Sequence, residues 1–409
     1  MLNLEFVRAQ FPALANGYAY LDNAGGSQVP QQVVDRISAY LLSSNVQTGA
    51  SYSESQVASA RVLAARDSVA NLINARRPEE VVMGGATTLL MFLFCRALAP
   101  GIVAGDEIIL TDSDHEANIG AWVALEQQGA VIRFWHINRD TLQLELDDLQ
   151  ALLSPKTRWV SMTHASNILG TVNPVAEVAR RVHAAGARLC VDAVAYAPHR
   201  LVDVQASGAD VYVFSFYKVY GPHYAVLWGD YAMLRELPGL NHFFIGRDVL
   251  PYKLQPGNVN YELSYGCIGI SDYLNAVGAQ LGVPVDQADA RAQMRAAFAA
   301  FEVHEAALAE RLLQFLRHKP GVNVIGHTDS AAALRVPTIS FTVDGQQSEA
   351  IVRQIDPHRI GIRFGDFYAK RLVKALALER SGGVVRVSIA HYNTMHEIDR
   401  LVQHLDRAF

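Results

Sequence analysis

Short runs of apolar residues alternate with stretches of helical periodicity along most of the chain. Apolar runs bounded by turn-forming residues are typical of strands, and apolar residues that recur every three or four positions are typical of helices. The predicted strands cover 19–21, 80–83, 106–110, 131–135, 159–163, 189–192, 211–214 and 225–228. The predicted helices cover 4–10, 30–42, 56–74, 89–99, 145–153, 174–185 and 230–236. This alternation predicts a mostly parallel sheet with helices on both faces, and such sheets bind ligands at the carboxyl ends of their strands.

The pattern changes beyond residue 238. An irregular stretch at 238–265 comes before a predicted helix at 266–282 and a long, charged helix at 285–318. The remaining predicted elements are strands at 322–325, 337–342 and 384–390 and helices at 346–355, 368–379 and 395–408. We therefore expect an α/β protein with a large domain at 15–285 and a smaller C-terminal α+β domain at 286–409, which also takes in residues 1–14.

Composition and charge exclude several classes of protein. A chain of 409 residues is long for one core, so two domains are expected. The net charge of −5 and the lack of a basic cluster interleaved with aromatics argue against nucleic acid as a partner. The 3 cysteines form no CxxC pair, which favours a reducing compartment. The N-terminus has no apolar signal core, and the most apolar run, 89–99, is too short for a membrane span. We expect a cytoplasmic protein.

An apolar strand at 211–214 leads directly to Lys218, which a Gly-Pro turn at 221–222 follows. Lysine is rare in so apolar a segment unless it is paired or chemically used. Burial disfavours the charged ammonium group and so lowers its pKa, which makes neutral, nucleophilic amine available. Such an amine can form a Schiff base with an aldehyde cofactor. The alternative is a lysine whose amine reaches water from the turn.

The segment Gly84-Gly-Ala-Thr-Thr88 joins a predicted strand to the apolar helix 89–99. Free N–H groups at a helix N-terminus, together with the hydroxyls of Thr87 and Thr88, suit an anion such as a phosphate. A threonine that only caps the helix is the alternative.

Two charged residues stand in apolar strands. Asp192 ends one of them, where an ionised carboxylate needs a partner such as a protonated ring nitrogen; a helix N-cap is the alternative. Arg386 interrupts another, and a buried guanidinium pairs best with a carboxylate. An internal salt bridge to a local Asp or Glu is the alternative for this arginine.

The loop after the strand 106–110 contains Asp112, Asp114, His115 and Glu116. These residues could be read as a metal site, but they are nearly consecutive and no second ligand cluster accompanies them. A solvated loop and a histidine placed beside a ligand are the other interpretations.

The residues that support a family resemblance run almost from end to end. They are Tyr20-Leu-Asp-Asn-Ala-Gly25, Asp114-His-Glu-Ala-Asn118, Ser166-Asn-Ile-Leu-Gly-Thr171, Val191-Asp192, Ser215-Phe-Tyr-Lys218-Val-Tyr-Gly-Pro222 and Arg386-Val-Ser-Ile-Ala-His-Tyr-Asn-Thr394. In this ordered set the chain resembles the class V aminotransferase family of fold-type I pyridoxal phosphate enzymes, and within it the cysteine desulfurase-like proteins. The resemblance implies an enzyme that binds pyridoxal 5′-phosphate and acts on an amino acid as a homodimer.

The resemblance also implies a role for each matching residue. Lys218 would form the Schiff base with the cofactor, Asp192 would pair with its pyridine nitrogen, and His115 would stack on its ring. The other residues expected to bind the cofactor are Asn167, Thr87, Thr88, Ser215 and, from the second subunit, Asn258. Arg386 would hold the substrate carboxylate, and Arg363 would brace that region.

The chain departs from the desulfurase pattern in ways that bear on its chemistry. Desulfurases carry a sulfur-accepting cysteine on a mobile loop shortly after the position of Arg363, whereas here the loop reads Gly365-Asp-Phe-Tyr-Ala-Lys370. Tyr368 stands about where that cysteine would be. Tyr217 replaces a histidine before the lysine, Ala195 replaces a glutamine, and Asn258 replaces a threonine.

Without that thiol the favoured function is a desulfurase-like C–S lyase that acts by β-elimination on a cysteine-like or other β-substituted amino acid. Aminotransfer or amino-acid epimerisation could use the same residues, since proton removal by a lysine is common to all three. A non-catalytic pyridoxal phosphate-binding protein is a further alternative. A nicotinamide enzyme is disfavoured because no GxGxxG follows the first strand–helix pair.

Overall fold

A computed structural model describes residues 2–286 and 288–409. The helices are α1 (Leu4–Ala9), α2 (Gln31–Ser43), α3 (Ser53–Ile73), α4 (Thr87–Leu98), α5 (Gly120–Val123), α6 (Leu146–Leu152), α7 (Val175–Ala184), α8 (Val204–Ser207), α9 (Tyr231–Glu236), α10 (Tyr261–Gln280), α11 (Ala292–His318), α12 (Ser348–Ile355), α13 (Lys370–Ala375) and α14 (Met395–Ala408). The strands are β1 (Ala19–Tyr20), β2 (Val81–Gly84), β3 (Glu107–Thr111), β4 (Val131–Trp135), β5 (Thr157–Thr163), β6 (Arg188–Asp192), β7 (Val211–Ser215), β8 (Ala225–Gly229), β9 (Val322–Ile325), β10 (Thr338–Val343), β11 (Ile360–Gly361), β12 (Arg363–Gly365) and β13 (Val384–Ser388).

Seven strands form the larger sheet, in the order β2-β8-β7-β6-β5-β3-β4. The pairs β3–β4, β3–β5, β5–β6 and β6–β7 are parallel, whereas β8 runs antiparallel to both β2 and β7. The predicted mostly parallel sheet is therefore confirmed. Every residue of β7 and β8 is buried, which explains why their sequences are continuous apolar runs and do not alternate with polar residues.

The larger sheet separates two apolar cores. Successive side chains of a strand point to opposite faces, and in β7 Tyr212 and Phe214 enter one core while Val211 and Val213 enter the other. Residues of α3, α7, α10 and α11 supply the first core, and residues of α4 and α5 supply the second. Helices thus cover both faces, as the alternating pattern predicts.

The smaller sheet is antiparallel and has the order β12-β13-β10-β9. A third core lies between it and the apolar faces of α11, α12 and α14, which contribute Leu312, Ile351 and Leu401. Near the N-terminus, β1 pairs in parallel with β11, so that Ala19 lies opposite Ile360. The first strand of the chain therefore lies beside the C-terminal part. The division into domains at residue 285 stays a prediction.

Several elements differ from the sequence-based expectation, among them α13, which covers only Lys370–Ala375 of the helix predicted at 368–379. Helix α10 begins at Tyr261 and not at 266, because the Asn260 side chain accepts a hydrogen bond from the backbone N–H of Leu263 and caps the helix. The irregular stretch accordingly ends at residue 260. Helix α11 begins at Ala292 and not at 285. The short strand β12 was not predicted at all.

No helix in the described ranges combines the length and the apolar character that a membrane crossing requires.

Candidate active site

A cleft opens where β5, β6 and β7 end, and the last residue of each of these strands, Thr163, Asp192 and Ser215, lines it. The space inside is about 540 Å³, part of it open to solvent. The remaining lining residues are Ala86, Thr87, Thr88, His115, Ala117, Ala165, Asn167, Val194, Ala195, Tyr217 and Lys218. The cleft thus lies at the strand ends where the sequence predicts a ligand site.

Lys218 reaches the cleft from the short turn that follows β7. It is buried, and burial lowers the pKa of its amine from 10.5 to about 8. The charge of Arg386 acts in the same direction as burial, whereas the carboxylate of Asp192 raises this pKa. A substantial fraction of neutral amine is therefore present near pH 8, as the sequence predicts for a nucleophilic lysine. The alternative of a lysine that reaches water is wrong.

Asp192 is buried at the end of β6, and its Oδ1 accepts a hydrogen bond of 2.8 Å from the backbone N–H of Val194. Burial raises the pKa of its carboxyl group to about 6, although the Val194 N–H and the amine of Lys218 lower it. Asp192 caps no helix, because the chain turns over residues 194–199 without forming one. An acid with such a pKa is ready to pair with a cation that enters the cleft.

Thr87 and Ser215 form the hydroxyl-rich end of the cleft. Their side-chain oxygens are 2.6 Å apart in a buried hydrogen bond. Thr87 and Thr88 belong to the first turn of α4, which carries no side-chain cap, so neither threonine merely caps the helix. Uncapped N–H groups beside two hydroxyls can bind an anion.

His115 follows β3, and its Nδ1 accepts a hydrogen bond of 3.0 Å from the backbone N–H of Ala117. The neutral ring therefore carries its proton on Nε2. Burial lowers the pKa of this histidine to about 4, and the charges of Lys218 and Arg386 act in the same direction. Its ring is 5.4 Å, centroid to centroid, from that of Tyr368. His115 thus gives the cleft an uncharged, planar wall.

Arg386 and Arg363 stand opposite each other on the antiparallel strands β13 and β12. Arg386 is 2% exposed and donates from Nη2 to Oδ1 of Asp22 over 3.0 Å, while Nη1 of Arg363 lies 3.6 Å from Oδ2 of the same carboxylate. The Nη1 of Arg386 also donates to the backbone carbonyl of Asn167. Arg386 therefore forms an internal salt bridge in this structure, but its partner is not a local residue, because Asp22 is 364 positions away in sequence.

Hydrogen bonds hold the loop that carries Tyr368 to Asn167, which lines the cleft, and to Glu116. The Nδ2 of Asn167 donates to the carbonyl of Phe367 over 3.0 Å, and the N–H of Glu116 donates to the carbonyl of Tyr368 over 2.8 Å. Phe367 and Tyr368 both have positive φ angles, +50° and +60°, which are uncommon for residues other than glycine. Such strain concentrates at functional sites. The side chain of Tyr368 remains 70% exposed.

Not every predicted site residue reaches the cleft. Asn258 is exposed and does not line the cleft of its own chain. Tyr217 does line it, and its ring stacks on that of His223 at 5.1 Å.

The carboxylates proposed as alternative metal ligands have protein partners: Asp112 accepts from Ile137 N–H, and Asp114 accepts from the Nδ2 of Asn118. No cluster of three or more potential metal ligands occurs in the part of the chain that the structure describes.

Sequence reasoning assigned no role to two residues beside the arginines. Asp22 lies in a turn-rich segment whose pattern indicates only a turn, and its position in the matching segment 20–25 was the one available signal. The ring of Phe367 lies 3.7 Å from the guanidinium carbon of Arg386, a cation–π contact. Nothing in the local sequence distinguishes this phenylalanine.

Comparison with known families agrees with this geometry. The family described as aminotransferase class-V matches residues 19–249 and 286–401. The chain belongs to the class-V aminotransferase family. Members of this family and of its cysteine desulfurase branch are pyridoxal phosphate enzymes, and this chain is an enzyme of the same kind, a transferase or a lyase.

Curated relatives place the chain in the cysteine desulfurase-like part of the family. It is 41% identical to the aminotransferase-like protein FGM3 of Gibberella zeae over 99% of this chain and 98% of that protein. It is 33% identical to the cysteine desulfurase-like protein ustD of Aspergillus flavus over 99% of this chain and 90% of that protein. A cysteine desulfurase of Serratia proteamaculans is 31% identical over 99% of this chain and 98% of that protein.

Solved structures confirm the fold. The cysteine desulfurase CsdA of Escherichia coli superposes with a TM-score of 0.83 at 28% identity, covering 100% of this chain and 98% of that one. The cysteine desulfurase of Thermococcus onnurineus has a TM-score of 0.86 at 24% identity, with coverage of 100% and 98%. The predicted fold-type I architecture is therefore correct.

Proposed function

We propose that the protein is a pyridoxal phosphate-dependent C–S lyase that removes the β-substituent of a cysteine-like amino acid. The observation that carries the proposal is the arrangement around Tyr368. The resemblance to desulfurases implies that this residue lies in the loop that holds their thiol, and residues 365–370 contain no cysteine. Cys95, Cys190 and Cys267 are buried elsewhere. A site with a nucleophilic lysine and no nearby thiol favours release of the sulfur and disfavours its transfer to the protein.

The residues of the cleft fit this cofactor. Thr87 and Ser215, with the uncapped start of α4, would hold its phosphate, and Thr88 lies beside them. Asp192 would pair with the pyridine nitrogen, and the flat side chain of His115 would lie against the ring. Asn167 lines the same cleft and would contact the ring substituents. Small side chains, among them Ala195, leave room for the ring.

Pyridoxal phosphate, when bound, supplies an aldehyde that condenses with amines and a ring that withdraws electrons from the amino acid's α-carbon. Asp192 would keep the ring nitrogen protonated, because a cation stabilises its buried carboxylate. The amine of Lys218 serves as the general base that takes the α-proton, and its pKa of about 8 suits proton transfer near neutrality. Arg386 holds the substrate carboxylate so that the Cα–H bond faces this lysine.

The overall reaction balances without an external oxidant or reductant. When the α-proton is removed, the electron pair of the Cα–H bond stays on the amino acid and forms a Cα=Cβ double bond as the Cβ–S bond breaks and thiolate leaves. Subsequent addition of water releases ammonia, so that cysteine and water give pyruvate, ammonia and hydrogen sulfide. His115 is neutral because of its lowered pKa and therefore does not repel an incoming cationic ammonium group.

The test is incubation of cofactor-loaded protein with L-cysteine and assay of pyruvate and sulfide together. Equal amounts of the two products support the lyase. Persulfide on the protein with alanine as product would contradict it and indicate a desulfurase.

Arg386→Lys should raise the KM for the amino acid strongly, since a lysine ammonium lacks the bidentate fork of a guanidinium group.

The alternatives give other products in the same assay. An aminotransferase converts the cofactor to its amine form and releases a keto acid only in stoichiometric amount until an amino acceptor is added. An epimerase exchanges the α-proton with deuterated solvent and forms the D-amino acid. A non-catalytic binding protein takes up the cofactor and yields none of these products.

We also propose that the enzyme is a cytoplasmic homodimer whose active site receives Asn258 from the partner subunit. Phe243 is 100% exposed, and Phe244 and Val249 of the same loop are also exposed, so this loop presents an apolar surface. Asn258, on the same irregular stretch, does not reach the cleft of its own chain. Light scattering measures the assembly directly, and a strictly monomeric, active enzyme would contradict the proposal.

A further inference from the structure

The carboxylate of Asp22 lies between two guanidinium groups. Its Oδ1 accepts from Nη2 of Arg386 at 3.0 Å, and its Oδ2 lies 3.6 Å from Nη1 of Arg363. The two arginines face each other across β12 and β13, and the ring of Phe367 lies against both, 3.7 Å from the Arg386 guanidinium carbon and 5.6 Å from that of Arg363. The single negative charge of Asp22 therefore partly compensates the positive charges of both Arg386 and Arg363.

Arg386 requires an anion at all times because it is buried. Removing the partner of a buried charge leaves that charge uncompensated, which is strongly unfavourable. Its other contacts, the carbonyl of Asn167 and the ring of Phe367, carry no net charge, and its Nε has no hydrogen-bond partner. An arginine in this state has unused donors for a second carboxylate.

Asp22 has a second position available, in which its carboxylate pairs with Arg363 and no longer with Arg386. Arg363 is 56% exposed in its side chain, so it is solvated and does not depend on Asp22 for compensation. Gly25 keeps the space beside the pair open, since a Cβ atom there would lie 2.7 Å from Oδ2 of Asp22 and 3.2 Å from Nη1 of Arg363. The carboxylate can therefore leave Arg386 and remain paired with Arg363.

We infer that Asp22 is an internal substitute for the substrate carboxylate: it compensates Arg386 in the free enzyme and shifts to Arg363 when a substrate carboxylate binds. The inference rests on the proposed function, in which Arg386 holds the substrate. With substrate bound, two carboxylates face two guanidinium groups, so the charges balance. Asp22 acts through Arg386 and is a positioning residue. Its presence lowers the affinity for substrate, because the substrate must displace it.

The test compares cofactor-loaded wild type, Asp22→Asn and Asp366→Asn in calorimetric titrations with propionate, a carboxylate without an amine. Asp22→Asn should bind propionate about tenfold more tightly, since a competing charge-assisted hydrogen bond is lost. The KM of Asp22→Asn for the amino acid should also be lower than that of the wild type. Asp366→Asn is the matched control. The Asp366 side chain accepts from the N–H of Tyr368 and lies near the amine of Lys370, so the affinity of this variant for propionate should equal that of the wild type.

Equal or weaker propionate binding by Asp22→Asn overturns the inference, because a residue that merely held Arg386 in place would weaken binding when replaced. A second measurement uses the wild type alone. In a crystal structure with propionate bound at Arg386, the Oδ1–Nη2 distance should exceed hydrogen-bonding range while Asp22 stays near Arg363, and an unmoved Asp22 contradicts the inference. Propionate binding requires no turnover, so a protein that passes these tests but releases no product contradicts only the proposed function.

Discussion

The hydroxyl groups of Thr87 and Ser215 are 2.6 Å apart, although 128 residues separate them in the chain. One begins α4 and the other ends β7, so their contact joins a helix N-terminus to the carboxyl edge of the sheet. A hydroxyl can donate or accept, and both groups can turn their protons toward an anion that arrives between them. This pair defines the phosphate end of the proposed cofactor site.

Ser215→Ala should weaken pyridoxal phosphate binding by about tenfold, because one hydrogen bond to a charged phosphate is lost. Equilibrium dialysis of the cofactor measures the change. The matched control is Ser348→Ala, which removes another buried hydroxyl, one that donates to the carbonyl of Gly383 over 3.1 Å. A Ser215→Ala protein with wild-type affinity would show that the phosphate binds elsewhere.

Lys218→Ala should abolish covalent attachment of the cofactor. After borohydride reduction, peptide mass spectrometry should find the pyridoxyl group on Lys218 of the wild type and nowhere in the variant. Lys253 is a second fully buried lysine, and its amine donates to the carbonyls of Leu237 and Arg235 at 2.8 and 3.1 Å. Lys253→Ala should keep the label but lose roughly 1–3 kcal/mol of unfolding free energy, because those carbonyls become unsatisfied. Label on the Lys218→Ala protein would refute the assignment.

The rate at which cofactor-free protein takes up pyridoxal phosphate should rise with pH through a midpoint of about 8. The neutral amine is the reactive form, and it predominates above the lowered pKa of Lys218. The carboxylate of Asp192 raises this pKa, so Asp192→Asn should move the midpoint to lower pH. Stopped-flow absorbance gives the profile. Asp112→Asn, whose carboxylate bonds His136, is the control and should keep the wild-type midpoint. A midpoint near the ordinary lysine value would show that the amine is not desolvated.

Replacing all three cysteines by alanine should leave the specific activity unchanged. Burial raises the pKa of the thiols of Cys95, Cys190 and Cys267, so they remain protonated and poorly nucleophilic. The measurement is sulfide release from L-cysteine, together with a search for persulfide by mass spectrometry. Stability must be measured in parallel, because each substitution removes a buried sulfur. Loss of activity in a protein that is still folded would indicate that one of these thiols accepts sulfur.

The residues predictable from sequence are those that follow a strand directly. Lys218, Asp192 and Thr87 stand at the junction of an apolar run and a turn, and a parallel sheet necessarily brings such junctions to one edge. The sequence also contains a signal for the start of α10, since Asn260 is a strong capping residue two positions before Glu262. The glycines of that helix weaken its apolar periodicity, and for this reason the predicted start lies at 266 and not at 261.

The environment of Arg386 was not predictable in the same way. Its partner Asp22 lies in a short turn, and only tertiary structure brings the two together. Strand β12 has three residues, none of them buried, so it shows no alternation that a sequence pattern could reveal. The sequence indicates that Arg386 needs an anion, whereas the identity of that anion depends on how the two ends of the chain meet.

The separation of Asp22 and Arg386 by 364 positions in the sequence also bears on how the enzyme is made. Ribosomes add roughly 5–20 residues per second, and folding during synthesis proceeds from the N-terminus. Lys218, Asp192 and the hydroxyl pair are all translated by residue 218, long before β13 emerges. Both arginine partners of Asp22 are therefore synthesised only near the end of translation, and a nascent chain that stops short of β13 lacks the guanidinium group proposed to bind the substrate carboxylate.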